Sequence, residues 1–207
     1  MTKKKIIIID SGLGNINSLT NCIDSLEFKY EIVKSPNENI IFDKIIFPGV
    51  GSYSHAMESI ISKKWDNFIK KNIIEEKKHY LGICIGMQIL SNYGYENTKT
   101  KGLGIIDGEV ENIRLNEAKF KVPHIGWNDV EFKNKNELYD GIKNFSDFYF
   151  DHSFVFKTND ELDISTLTEY EKKFVSSVKK GNIFGTQFHP EKSADNGKKL
   201  LNNFLKL

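Results

Sequence analysis

Cysteine is scarce in this chain, present only as Cys22 and Cys84. Two thiols make no disulfide framework, and no secretory context supports one. Long apolar runs are missing as well. The opening MTKKKIIIID sets basic residues before four isoleucines, too few for the apolar region of a signal peptide, and no stretch approaches a membrane span. A reducing cytoplasm is the expected setting. Neither sign of charge dominates: the net charge is +1, and the lysines are mixed with Glu and Asp along the chain. No global field therefore points to nucleic acid or an acidic surface. A Pro/Gly/Ser linker, a repeat and a low-complexity tract are also lacking, so one domain over residues 1–207 is expected.

What the chain does have is alternation. Residues 5–10, 28–33 and 43–47 read as short strands, apolar on both sides. Helical spacing covers 17–26, where Leu19, Cys22, Ile23 and Leu26 share a face, then 56–61 and 65–77. Cys22 belongs to that stripe and is expected to be structural. Strands 108–115, 122–132, 148–156 and 163–170 follow a loop-like stretch, 93–104; a hairpin of 174–178 and 183–188 leads to a last helix, 195–205. The expected fold class is α/β, a mostly parallel open sheet with helices on both faces and an antiparallel extension. SGLGNI after the first strand invites a dinucleotide site, but the third glycine is missing and no matching acidic residue can be placed.

The stretch KHYLGICIGMQILS, residues 78–91, reads as a strand, a sharp turn and an amphipathic helix containing Met87, Ile89 and Leu90. Gly82-Ile83-Cys84-Ile85-Gly86 has the spacing of a nucleophile elbow with Cys as the nucleophile. Such a turn crowds its own backbone, so neighbours without Cβ are needed. The Ile85 amide would lie at the helix start, facing the reacting atom, and the helix N-terminus would favour a thiolate. A buried core cysteine beside two loop glycines is the alternative. Further on, Pro190 fixes the backbone between His189 and Glu191, so that the carboxylate can orient the imidazole, the base arrangement that a Cys nucleophile requires. A surface loop is the alternative there.

Together these motifs resemble the class I (triad) glutamine amidotransferases, whose flavodoxin-like fold is then expected. GICIGMQ looks like their nucleophile motif, QFHPEKS like their His-x-Glu motif, and FPGVGS like their oxyanion strand. PGVG, VPHIGWN at 122–128, DSGLGNINS, YFDHSF and FHPEKSADNG are similar to the glutaminase subunits of imidazole glycerol phosphate synthase, in histidine biosynthesis. The resemblance implies a catalytic triad of Cys84, His189 and Glu191, and an oxyanion site of Ile85 with Val50 and Gly51. It implies glutamine contacts from Gly51, Gln88, His152 and Ser153. It further implies a (β/α)8-barrel cyclase partner in a heterodimer, met through Asn15, Pro123, Trp127, Asn128 and Lys192, and no cofactor or metal. The oxyanion strand would have to turn an N–H inward before it could stabilise charge, and Gly49 and Gly51 would permit that turn. Trp127 as an ordinary core aromatic stays open.

Ser11 stands where many members carry tyrosine, and Asp151 where an apolar residue is common. Three other functions remain compatible with the sequence. One is a paralogue feeding ammonia to a sugar amidotransferase of surface-glycan synthesis. Another is a silent binding subunit, against which the intact Cys84, His189 and Glu191 speak. The last is a stand-alone cysteine hydrolase, akin to a γ-glutamyl hydrolase.

Overall fold

The four isoleucines that open the chain show why a parallel sheet forms. They are β1 (Ile6–Ile9), all buried. Ile7 and Ile9 enter one apolar cluster and Ile6 and Ile8 another, since successive strand side chains point to opposite faces. A strand covered on both sides is a parallel-sheet strand. The computed structural model describes residues 5–14, 16–113 and 120–207.

In chain order β1 is followed by α1 (Asn17–Asp24), β2 (Tyr30–Val33), β3 (Lys44–Gly49), α2 (Tyr53–Ser62), α3 (Trp65–Lys70), β4 (His79–Cys84) and α4 (Ile85–Gln88). Then come β5 (Tyr93–Gly94), β6 (Thr100–Lys101), β7 (Gly108–Asn112), β8 (His124–Phe132), β9 (Ser146–His152) and β10 (Phe154–Thr158). The chain ends with β11 (Ile164–Tyr170), β12 (Lys172–Lys180), β13 (Ile183–Thr186) and α5 (Ala194–Lys206). The parallel core runs β2-β1-β3-β4-β13. α2 and α3 supply Met57, Ile60, Trp65 and Phe68 to one face, and α1 and α5 supply Leu19, Ile23, Leu200 and Phe204 to the other. Cys22 lies buried in the α1 stripe.

Beyond β13 the pairing turns antiparallel through β12, which continues to β10 and β7 on one branch and to β11, β8 and β9 on another. This is the expected α/β class with its antiparallel extension. Several boundaries differ from the pattern. The segment 148–156 is not one strand: it breaks at Ser153, where β9 leaves β8 and β10 joins β7. The segment 93–104 contains the short pair β5 and β6. α2 starts at Tyr53 because the Ser52 hydroxyl accepts the His55 N–H at 3.4 Å and caps it. α3 gives way to a wider turn over Lys71–Glu75, where buried Asn72 donates its side-chain amide to the Phe68 carbonyl at 2.8 Å. The amphipathic helix through Leu90 is really four residues long.

The helix stops because the chain at 103–106 donates instead: Leu103 N–H to the Ile89 carbonyl, and Ile105 and Ile106 N–H to that of Leu90. No helix among the described residues is long and apolar enough to cross a membrane.

Candidate active site

Three neighbouring strands end together. Ile83 of β4 is level with Pro48 of β3 and with Thr186 of β13. Cys84, the Gly49–Gly51 segment and the His189 turn therefore meet at the carboxyl edge of the parallel core, where open α/β sheets bind ligands.

Cys84 closes β4 with φ 55° and ψ −108°, in a left-handed region that costs a residue with Cβ about 1–3 kcal/mol. Its neighbours show what holds it there. A Cβ on Gly82 would stand 2.2 Å from the Gly86 carbonyl oxygen, and one on Gly86 would stand 2.0 Å from that of Phe47. Strand, elbow and helix are in backbone contact, and only glycine permits it. Cys84 is buried like a core cysteine, yet it lines a cavity of about 240 Å³. The thiol donates weakly to the Asp151 carbonyl at 4.0 Å.

His189 follows β13, with its backbone N–H on the Tyr149 carbonyl at 2.9 Å. Pro190 begins a single 3-10 turn that brings Glu191 back, and Nδ1 lies 2.8 Å from Oε1 of the carboxylate. Burial alone would lower the His189 pKa. Hydrogen bonding and charge at Cys84 and Glu191 outweigh it and raise the imidazole to about 10. Nε2 is buried without a conventional hydrogen bond, and Cys84 is the partner at that ring. The imidazolium is thus the form favoured here, and it can pair with a thiolate.

Of the oxyanion residues, Ile85 opens α4, so its N–H has no acceptor within the helix. A helix of one turn carries little macrodipole, so the expected helix field at Cys84 is small. Val50 and Gly51 line the cavity. The Val50 N–H, however, is engaged with the Leu13 carbonyl at 3.2 Å. Gly51 has φ +118°, a conformation suited to glycine, and beyond its chain neighbours nothing lies within 4 Å of where a Cβ would stand.

Gln88, His152 and Ser153 all line the same cavity. Gln88 Nε2 donates to the Phe154 carbonyl at 3.1 Å and to Gln187 Oε1 at 2.8 Å, leaving its own oxygen for a ligand. His152 is in contact with His124, Nε2 to Nδ1, at 3.0 Å, and its Nδ1 reaches the Phe154 carbonyl at 2.9 Å. Burial lowers His152 to about 3 and His124 to about 4, so both rings are neutral near pH 7. Glu96 and Ser193 are among the residues not singled out from the sequence. Glu96 lines the cavity and accepts the Tyr53 N–H at 2.7 Å; it sits in a loop whose sequence carries no motif. Ser193 ties two segments by accepting the Tyr149 N–H and donating to the His189 carbonyl; only its place in QFHPEKS could have flagged it.

The remaining described positions of the expected interface lie just before β8, on it, and in the turn after His189. Pro123 lines the cavity itself. Trp127 is 54% exposed, on the same side of β8 as Ile125 at 58%, so it is no core aromatic. Its ring meets Tyr149 edge-on at 6.2 Å, and Lys192 Nζ lies 5.5 Å from the centre of that tyrosine ring. Asn128 donates to the Glu169 carbonyl at 3.0 Å and lies 3.4 Å from His124 Nε2. Asn15 lies outside the described residues. Ser11 is buried under α2, its carbonyl accepting from Lys63 Nζ at 2.6 Å. Asp151 faces Cys84 with its carbonyl, as above.

The family model described as glutamine amidotransferase class-I matches residues 7–207. A protein named imidazole glycerol phosphate synthase subunit HisH 1, from Campylobacter jejuni subsp. jejuni serotype O:23/36 (strain 81-176), is 43% identical over 202 residues, 98% of this chain and 100% of that protein. The similarly named subunit HisH of Pelagibacter ubique (strain HTCC1062) is 40% identical over 206 residues, covering 98% and 99%. Among solved structures, PurLQS from Thermotoga maritima superposes with a TM-score of 0.75 at 19% identity, over 99% of both chains. That last likeness is one of fold.

Proposed function

The chain belongs to the class-I glutamine amidotransferase family, and we propose that within it this protein is the glutaminase subunit of an imidazole glycerol phosphate synthase. One observation carries the chemistry: Cys84, on a strained elbow at a cavity, beside an imidazole that Glu191 orients and charges. The relatives named HisH, matched over nearly the full length of both chains, support the choice of synthase.

The Cys84 thiolate attacks the side-chain amide carbon of glutamine, and the carbonyl oxygen becomes an oxyanion. The Ile85 N–H stabilises it, joined by an N–H of the 49–51 segment. His189 gives its proton to the amide nitrogen, which leaves as ammonia, and a γ-glutamyl thioester remains on Cys84. His189, now neutral, takes a proton from water, whose oxygen attacks the thioester and releases glutamate. Glu96 supplies a negative charge at the cavity for the α-ammonium group. The Gln88 oxygen and the His152–Ser153 segment hold the rest of the amino-acid end.

The Val50 N–H is engaged with Leu13, so the second oxyanion donor is withheld in the free chain. A partner that displaces the 49–51 segment would release it, which couples glutamine hydrolysis to assembly. The partner is a (β/α)8-barrel cyclase subunit, seated on Pro123, Trp127, Asn128 and Lys192, with Asn15 nearby in sequence to the glycine turn. Pro123 joins that surface to the cavity, so ammonia can leave toward the cyclase as the neutral nucleophile.

The test is glutamate release from glutamine by the protein alone, and with the cyclase subunit plus its ribonucleotide ligand. A rise of at least tenfold with the cyclase is expected. Full activity alone would sink the two-subunit assignment, and a rise only with a sugar amidotransferase would move the protein to a surface-glycan pathway. Cys84→Ala should abolish glutamine-dependent synthesis by the complex and spare synthesis from supplied ammonia. Equal loss of both would make Cys84 structural.

A further inference from the structure

Gln187 stands two residues before His189, fully buried, just past the end of β13. Its side chain joins two parts of the site. Nε2 donates to Cys84 Sγ at 3.6 Å, within reach for a sulfur acceptor, and Oε1 accepts from Gln88 Nε2 at 2.8 Å.

The direction of this chain is fixed from its far end. The Phe154 carbonyl can only accept, so Gln88 must turn its amine, not its oxygen, toward it. The second hydrogen of that amine needs an acceptor, so Gln187 must present Oε1. Gln187 Nε2 is then left facing Cys84 Sγ. Flipping either amide would set donor against donor or acceptor against acceptor in a buried site, at the cost of an unsatisfied polar group. His152 Nδ1 takes the other lone pair of the same carbonyl, which leaves no room for a rearrangement there.

We propose that Gln187 is a further catalytic residue of this glutaminase: an amide donor locked by Gln88 and the Phe154 carbonyl, which holds Cys84 Sγ as a hydrogen-bond acceptor and so favours its thiolate. This rests on the reading of Cys84 as the nucleophile. A thiolate accepts an N–H far better than a thiol or a thioester does. The donor therefore stabilises the free nucleophile before attack and again when glutamate leaves. His189 supplies the proton that moves, while Gln187 supplies one that stays.

The experiment is alkylation by iodoacetamide of the full free chain across a pH series, with Cys84 and Cys22 followed separately by mass spectrometry. Gln187→Met fills the space without a donor. Gln187→Glu keeps an acceptor for Gln88 and turns a carboxylate toward sulfur. At pH 7 Gln187→Met should slow Cys84 alkylation about tenfold, the effect of one hydrogen bond to an ionised group. The midpoint of its pH profile should rise, further still in Gln187→Glu, and Cys22 should react as in the wild type. Gln88→Met frees Gln187 to flip and should give a smaller shift of the same sign, which stands in for any Gln187 variant that fails to fold. Unchanged Cys84 profiles in the folded variants would overturn the role of Gln187 alone. Wild-type Cys84 reacting no faster than Cys22 would overturn the nucleophile itself.

Discussion

His189 is the residue whose environment does most to set the chemistry. Glu191 and Cys84 hold its imidazole at about 10 against burial, far above the value near 6.5 of an unfolded chain. Its bound proton therefore adds stability that is fully present below about pH 6.5 and is lost as pH rises through about 10. Replacing the carboxylate should bring the folded value down. Glu191→Gln is expected to lower the midpoint of the His189 ring in an NMR titration and to cut glutamine turnover by the complex at least tenfold, with ammonia-dependent synthesis unchanged. An unmoved midpoint would mean that Cys84 alone charges the ring. The elbow glycines make a second residue-level case. Each added methyl would meet a carbonyl oxygen near 2 Å, so Gly82→Ala or Gly86→Ala should destabilise the fold by about 3 kcal/mol. Chemical denaturation would measure it, and a loss under ~1 kcal/mol would show that the elbow can relax.

At the scale of elements, β8 and β9 are joined through a buried histidine pair. His124 and His152 are neutral because burial lowers both, to about 4 and about 3. Here the folded values lie below the unfolded one, so their contribution is present above pH 6.5 and is lost as pH falls toward 4 and 3. The melting temperature should drop across that window. His124→Phe keeps the stacking against Phe150 and Tyr170 but cannot take a proton, so its melting temperature should fall less steeply with acid. An equal slope would place the acid sensitivity elsewhere. This pair was not legible in the sequence, because His124 and His152 are distant in the chain and meet only through the β8–β9 register. The elbow was legible, since its contacts are local and its glycines are spaced by the turn itself. The break at Ser153 was not: phenylalanines at 148, 150, 154 and 156 stay in step across Asp151-His152-Ser153, and what changes there is the partner strand. The four-residue length of α4 escaped for a similar reason, the carbonyls of Ile89 and Leu90 just after it being taken by a loop that periodicity does not see.

Across the whole molecule, the catalytic edge and an apolar surface lie side by side. His-x-Glu and G-x-C-x-G could be joined as one site from the sequence because each lies at the end of a predicted strand, and the structure makes those strands, β4 and β13, direct parallel neighbours. Which residues would remain exposed could not be foreseen, because a tryptophan in a strand is as compatible with a core as with an interface. Ile125 and Trp127 are large, apolar and more than half exposed, two positions apart on one side of β8. Side chains in that arrangement contribute little to the free fold and much to association once a partner covers them. Trp127→Ala should therefore leave the melting temperature of the free chain within about 2 °C and raise the dissociation constant for the cyclase subunit at least tenfold. Calorimetric titration, with a thermal melt of the same samples, reads both quantities. A large fall in melting temperature with unchanged affinity would return Trp127 to a structural role and move the docking face away from β8. Unchanged values for both would exclude this tryptophan from the interface.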